Sequence, residues 1–213
     1  MDHMWRDLIL QAVVILVATV MFLSMYGIPQ RALSRLRLRR RSDLQAKRHF
    51  VLGAQLLSKA RSAPSRSSAA SIAREAVTEA DLAISTDPRD AANHILKALA
   101  LDLQGFRTSA LESLDTALSP LAIKSLGDKE IGDALYKRAE IKVGIGGRSR
   151  VDSAVDDLSR AVKLSPTPKA YSLLGQCYEK TKMKEEALQA YKEALRLEPT
   201  LSDAQEALAR LDS

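Results

Sequence analysis

Residues 168–199 read PKAYSLLGQCYEKTKMKEEALQAYKEALRLEP, and their spacing decides the fold. Tyr171, Leu174, Gly175 and Tyr178 recur at three- and four-residue steps, which places them along one face of a helix. After a short polar break, Ala187, Tyr191 and Ala194 repeat the pattern on a second helix, and Pro199 ends it because proline can neither donate the helical hydrogen bond nor avoid the preceding turn. The glycine and alanines stand where two backbones cross most closely, and the rings and leucines fill the gaps between. A leucine in place of alanine at such a crossing would clash. The stretch therefore predicts two antiparallel helices.

The same scheme recurs upstream. Second helices are marked by Ala76, Ala80 and Ala83, by Ala110, Leu114 and Ala117, and by Ala154, Leu158 and Ala161. The small position of each first helix is Gly53, Ala98 and Ala139, with Gly105 at the interhelix turn of the second copy. Pro88 and Pro166 close the first and third copies. From Ala83 to Ala117 is 34 residues, the tetratricopeptide period.

The last copy resembles a tetratricopeptide repeat at every position of its pattern, with Tyr171 and Tyr191 replacing the usual Trp and Phe. The expected fold is all-α: an N-terminal transmembrane helix, then an α-solenoid of about four hairpins (repeats about 43–88, 90–120, 131–166 and 168–199) and a C-terminal capping helix over 202–212. Ser202 and Gln205 form an S-x-x-Q helix start, and Leu201, Ala204, Leu208 and Leu211 form the stripe that would cover the open end. Three departures lengthen connections. RSAPSRSSAAS at 61–71 reads as a mobile Ser-rich loop, GIGGRSR lengthens the third turn, and Pro120 to Asp128 reads as an added linker.

Ahead of the repeats, Leu8 to Ile28 carries no charge over 21 residues, about 31 Å of helix at 1.5 Å per residue, enough to cross a bilayer core. Trp5 and Tyr26 lie near its ends, where amphipathic rings prefer the interface. A cleaved signal would have a shorter apolar run and a positive start. The domains expected are thus an anchor over 1–28, a basic juxtamembrane linker over 29–42 and a helical domain over 43–213.

The net charge of +6 is confined to one place. Residues 29–50 hold eight basic residues against Asp43, whereas residues 51–213 hold 23 of each sign. The positive-inside rule then places the C-terminal domain in the cytosol, on a mitochondrial or plastid outer membrane or the endoplasmic reticulum. Arg35, Arg37, Arg39, Arg40 and Arg41 are placed to meet anionic lipid headgroups, at about 1 kcal/mol for each basic residue near the surface. A neutral globular part gives no field for a polyanion, so nucleic acid is not an expected partner.

Catalytic chemistry is not expected. His3, His49 and His94 are scattered and share no ligand spacing with the lone Cys177, so neither a metal nor a cofactor is indicated. Gly144 to Gly147 lacks the G-K-[ST] and the strand of a phosphate-binding loop and reads as a turn. Asp156 and Asp157 read as a solvated helix face, and Cys177 as a structural or partly exposed thiol.

Function is expected from binding. The resemblance implies a concave groove, lined by the first helices, that takes a peptide or an amphipathic helix of another protein. Relatives that hold the acidic C-terminal tails of cytosolic chaperones clamp them with basic residues and asparagines. The matching positions here are Phe50, Ala54, Leu96, Asp133 and Lys137, of which Lys137 alone is basic, so such tails are disfavoured. The first two copies would instead present Phe50, Val51, Leu57, Ile95, Leu96, Leu99 and Leu103, an apolar wall filled either by another part of this chain or by a partner helix. The chain is similar in plan to small plant-type membrane-anchored repeat proteins. It also resembles organelle outer-membrane receptors for precursor proteins, the alternative to a scaffold.

Overall fold

The computed structural model describes the backbone of residues 2–25 and 28–212 and the side chains of residues 4–22 and 43–211. Among the described residues all regular structure is helical, in ten α-helices and one short 3-10 turn. The chain divides into two compact units, Met1–Gln45 and Ala46–Ser213.

The first unit contains α1 (Asp2–Met25). Its Met4–Phe22 stretch has a mean hydropathy of 1.8 and none of it is buried, and it is long and apolar enough to cross a membrane. The Thr19 hydroxyl donates to the carbonyls of Ile15 and Leu16, at 2.9 and 2.8 Å, so this hydroxyl is satisfied by its own helix. The basic stretch 29–42 is helical, since α2 runs Ile28–Arg61. The side chains of Arg35, Arg37, Arg39, Arg40 and Arg41 lie outside the described residues, as does Tyr26.

The second unit is a row of hairpins. The remainder of α2 pairs with α3 (Arg66–Thr86), α4 (Ala91–Gln104) with α5 (Arg107–Ala117), α6 (Asp128–Ile145) with α7 (Arg148–Leu164), and α8 (Pro168–Lys180) with α9 (Lys184–Leu197), while α10 (Ser202–Asp212) covers α9. Alanines make the seams. Ala76, Ala83, Ala98, Ala110, Ala117, Ala139, Ala154, Ala161, Ala187 and Ala194 are all buried to 1% exposure or less, which brings the helices close without strained side chains.

Helix ends follow local chemistry. Asp90 accepts from the Ala92 amide at 3.0 Å to start α4, and Thr167 accepts from Ala170 at 3.3 Å to start α8, with Pro168 in the first turn. Gly105 ends α4 in the left-handed region at φ 91°, a conformation that costs glycine little.

Several connections differ from expectation. The Ser-rich stretch is not a long loop: α3 starts at Arg66, because Ser65 accepts from the Ser68 amide at 3.1 Å and the alanines that follow propagate the helix. In the third hairpin the added residues extend the helices, leaving Gly146 and Gly147 as the turn. The linker after Pro120 winds into the 3-10 turn Ile123–Ser125, whose Ser125 hydroxyl accepts from the Ala91 amide at 3.0 Å. At α10 the expected capping box does not form. Gln205 donates instead to the Pro199 carbonyl at 2.7 Å, although the stripe of Leu201, Ala204, Leu208 and Leu211 does pack on α9.

Candidate groove site

The first helices of three successive hairpins line a groove of about 450 Å³. α2 contributes Phe50, Ala54, Leu57, Ser58 and Arg61, α4 contributes Ala92, Ile95, Leu96 and Leu99, and α6 with the turn before it contributes Leu126, Glu130, Asp133, Ala134 and Lys137. The floor is apolar and the lips are charged.

The seven expected groove residues separate into three kinds. Phe50, Ile95 and Leu99 are half-buried and line the groove. Leu57 and Leu96 reach its floor but belong to the core, at 5% and 4% exposure, packed with Ala76, Ala80 and Ala100. Val51 and Leu103 do not line it. Val51 is exposed on another face of α2, and Leu103 packs against the core cluster. Leu96 is inside because its neighbours are small: a Cβ added to Gly53 would lie 2.9 Å from Leu96 Cδ2, so the missing side chain at 53 is the space that Leu96 fills.

Lys137 is not free to clamp a carboxylate. Its ammonium is held by Asp102 at 2.8 Å and Glu140 at 2.6 Å. Burial favours the neutral amine, but the hydrogen bonds to these two carboxylates outweigh it and leave the pKa raised.

One buried polar cluster was not expected from sequence. Asp157, read as solvated, is 3% exposed. It accepts from Arg138 Nε at 2.8 Å and also from Arg138 Nη2, while Lys142 Nζ reaches it at 2.7 Å and Ser153 Oγ at 2.7 Å. Arg138 extends on to Asp115 at 2.9 Å, so one guanidinium ties α6 to both α5 and α7. Asp156 beside it is exposed as expected. The signal available in the sequence was the pair Arg138 and Lys142, four apart on the face of α6 that meets α7.

At the far end, Tyr191 donates to Glu179 Oε1 at 2.5 Å, and Arg210 of α10 reaches both oxygens of the same carboxylate at 2.9 and 2.7 Å. Burial, reinforced by the Glu179 hydrogen bond, drives the Tyr191 phenol well above its ordinary range, so it is a structural donor. Tyr178 is half-buried in the two clusters that meet here, and Pro199 lies exposed in the turn after α9. Cys177 is fully buried, and burial pushes its thiol up to about 11.

The tight point of this hairpin is Gly175, where an added Cβ would lie 2.8 Å from the Tyr191 ring. Residues 168–201, which contain both, match the family described as Tetratricopeptide repeat. The match covers the last hairpin and the turn after it. Solved structures extend the likeness to most of the chain. MamA from Desulfovibrio magneticus is 18% identical with a TM-score of 0.63, covering 79% of this chain and 84% of that one. PilF of Pseudomonas aeruginosa is 18% identical, with a TM-score of 0.60 and coverage of 80% and 68%. YrrB, described as a TPR protein with an unusual peptide-binding site, is 20% identical, with a TM-score of 0.55 and coverage of 65% and 67%. At these identities the likeness shows a tetratricopeptide-like fold. A search by sequence among curated proteins gives no match.

Proposed function

We propose that this chain is a membrane-tethered scaffold whose tetratricopeptide-like array holds a peptide or helix of another protein in the groove between α2, α4 and α6. The observation that carries the reading is the apolar lining of that groove: Phe50, Ile95 and Leu99 stand half-buried around open space, with Ala54, Leu57, Leu96 and Ala134 beside them. Apolar surface of this kind is stabilised when a partner's apolar face removes it from water. The exposed apolar helix α1 supports the tether, and the arginine excess after it supports a cytosolic array.

A photoreactive residue placed at Leu99 of the full chain in cells is expected to crosslink a defined partner, and one placed at Val51 is not. Equal labelling from both positions, or none from Leu99, counts against the groove. Retention of the chain in membranes after alkaline carbonate extraction tests the tether, and release into the supernatant would refute it. Residues 1–50 fused to a fluorescent reporter separate an organelle outer membrane, as a precursor receptor requires, from the endoplasmic reticulum.

A further inference from the structure

The groove carries charge as well as apolar surface, and the two signs lie on different lips. The α6 lip bears Glu130 and Asp133, and the α2 lip bears Arg61. Among the described residues neither Arg61 nor Asp133 has an ionic partner, and both are exposed. Glu130 accepts from the Gly127 amide at 2.8 Å, which leaves its negative charge in place. Lys137, the remaining charge on the α6 lip, is offset by Asp102 and Glu140. Among the described lining residues the α6 lip is therefore net acidic, and Arg61 is the cation that α2 contributes.

Resting on the reading of this groove as the partner site, we propose that its occupant is an amphipathic partner helix with a basic flank and an acidic flank. The apolar stripe of that helix lies on Phe50, Ile95 and Leu99, its basic flank faces Glu130 and Asp133, and its acidic flank faces Arg61. Charge complementarity at a rim acts mainly on specificity. A uniformly acidic helix would meet the carboxylates of the α6 lip, and a uniformly basic one would meet Arg61. Reversing a helix in the groove exchanges its flanks, so lips of opposite sign also fix the direction in which the chain of the partner runs.

The test uses the full chain in nanodiscs, with binding to empty nanodiscs subtracted, and three fluorescein-labelled helical 16-residue peptides that share one Leu stripe. One peptide has Lys on one flank and Glu on the other, one has Lys on both, and one has Glu on both. The mixed peptide is expected to bind about three- to tenfold more tightly than either uniform one, in line with weak rim ion pairs. Asp133→Lys and Arg61→Glu are each expected to weaken it by about threefold or more, and combining them with Glu130→Gln, which keeps an acceptor for the Gly127 amide and leaves the α6 lip basic and the α2 lip acidic, restores affinity by exchanging the lips. Equal affinity for the three peptides, indifference to both reversals, or no binding of any peptide overturns the proposed occupant. Ala92→Arg, which fills the groove without removing a core side chain, tests the groove separately. Loss of peptide binding with an unchanged circular-dichroism melt upholds the groove, and unimpaired binding overturns it.

Discussion

Gly175 on α8 and the ring of Tyr191 on α9 occupy one another's space: an added Cβ would meet Cε1 and Cζ of the ring at 2.8 Å. Tyr191 cannot swing away without losing Glu179, which in turn holds Arg210 of the capping helix. Gly175→Ala is therefore expected to destabilise the chain by about 1–2 kcal/mol, as overpacking of 1–3 kcal/mol outweighs the better helix propensity of alanine. Thermal unfolding of the full chain in detergent measures it. In a Tyr191→Leu background the same substitution should cost less, and an equal cost in both backgrounds would show that the ring is not the obstacle.

Asp157 supplies a second prediction. Replacing it with Asn or Ala leaves Lys142 without a counter-charge at a buried site and Arg138 with Asp115 alone, and loss of one partner from a buried pair costs about 3–5 kcal/mol. Asp156→Ala, one residue away and exposed, should change stability by less than about 0.5 kcal/mol. Urea unfolding of the two variants separates them. Similar midpoints would mean that Asp157 is solvated after all.

The contrast between those neighbours shows what was legible in the sequence. Small residues at fixed steps report backbone crossings, so the four hairpins could be read from Gly175 and the buried alanines. Asp157 was not read, because two adjacent aspartates look alike until the fold brings up Arg138 and Lys142, whose four-residue spacing on α6 was the one signal for it. Gly132 was missed for a similar reason: a Cβ there would lie 2.7 Å from Ser165 Cβ, a contact between the start of α6 and the end of α7. In the groove, the apolar character of the first two copies was legible. Which of its leucines are core was not, since that depends on Gly53 and Ala80 opening the space that Leu96 enters.

Cys177 gives a prediction in pH. Burial disfavours its thiolate and raises the pKa from about 9 to about 11, with Lys180 lowering it only slightly. At pH 8 roughly a thousandth of the native thiol is ionised, so labelling with iodoacetamide should be very slow in buffer and fast in urea. The folded state binds its proton more tightly than the unfolded state. Its stabilising contribution is therefore complete below about pH 9 and is lost as pH rises toward 11. Cys177→Ala should flatten this part of the stability profile, and an unchanged alkaline slope would assign it to other groups.

Leu96 and Phe50 share the groove but differ in what each supports. Leu96 fills the space over Gly53 and packs with Ala76 and Ala80, so Leu96→Ala is expected to cost about 2–5 kcal/mol, and Leu96→Glu to unfold the first two hairpins by burying a charge. Phe50 is half-buried at the groove edge, where truncation leaves an opening that solvent already reaches, so Phe50→Ala should cost under about 2 kcal/mol. Binding should follow the opposite order of specificity. Phe50→Ala removes partner capture from a folded chain, while any loss of capture in Leu96→Glu comes with loss of helix. Circular dichroism and crosslinking on the same preparations resolve the two. A fully folded Leu96→Glu chain would return Leu96 from the core to the binding surface.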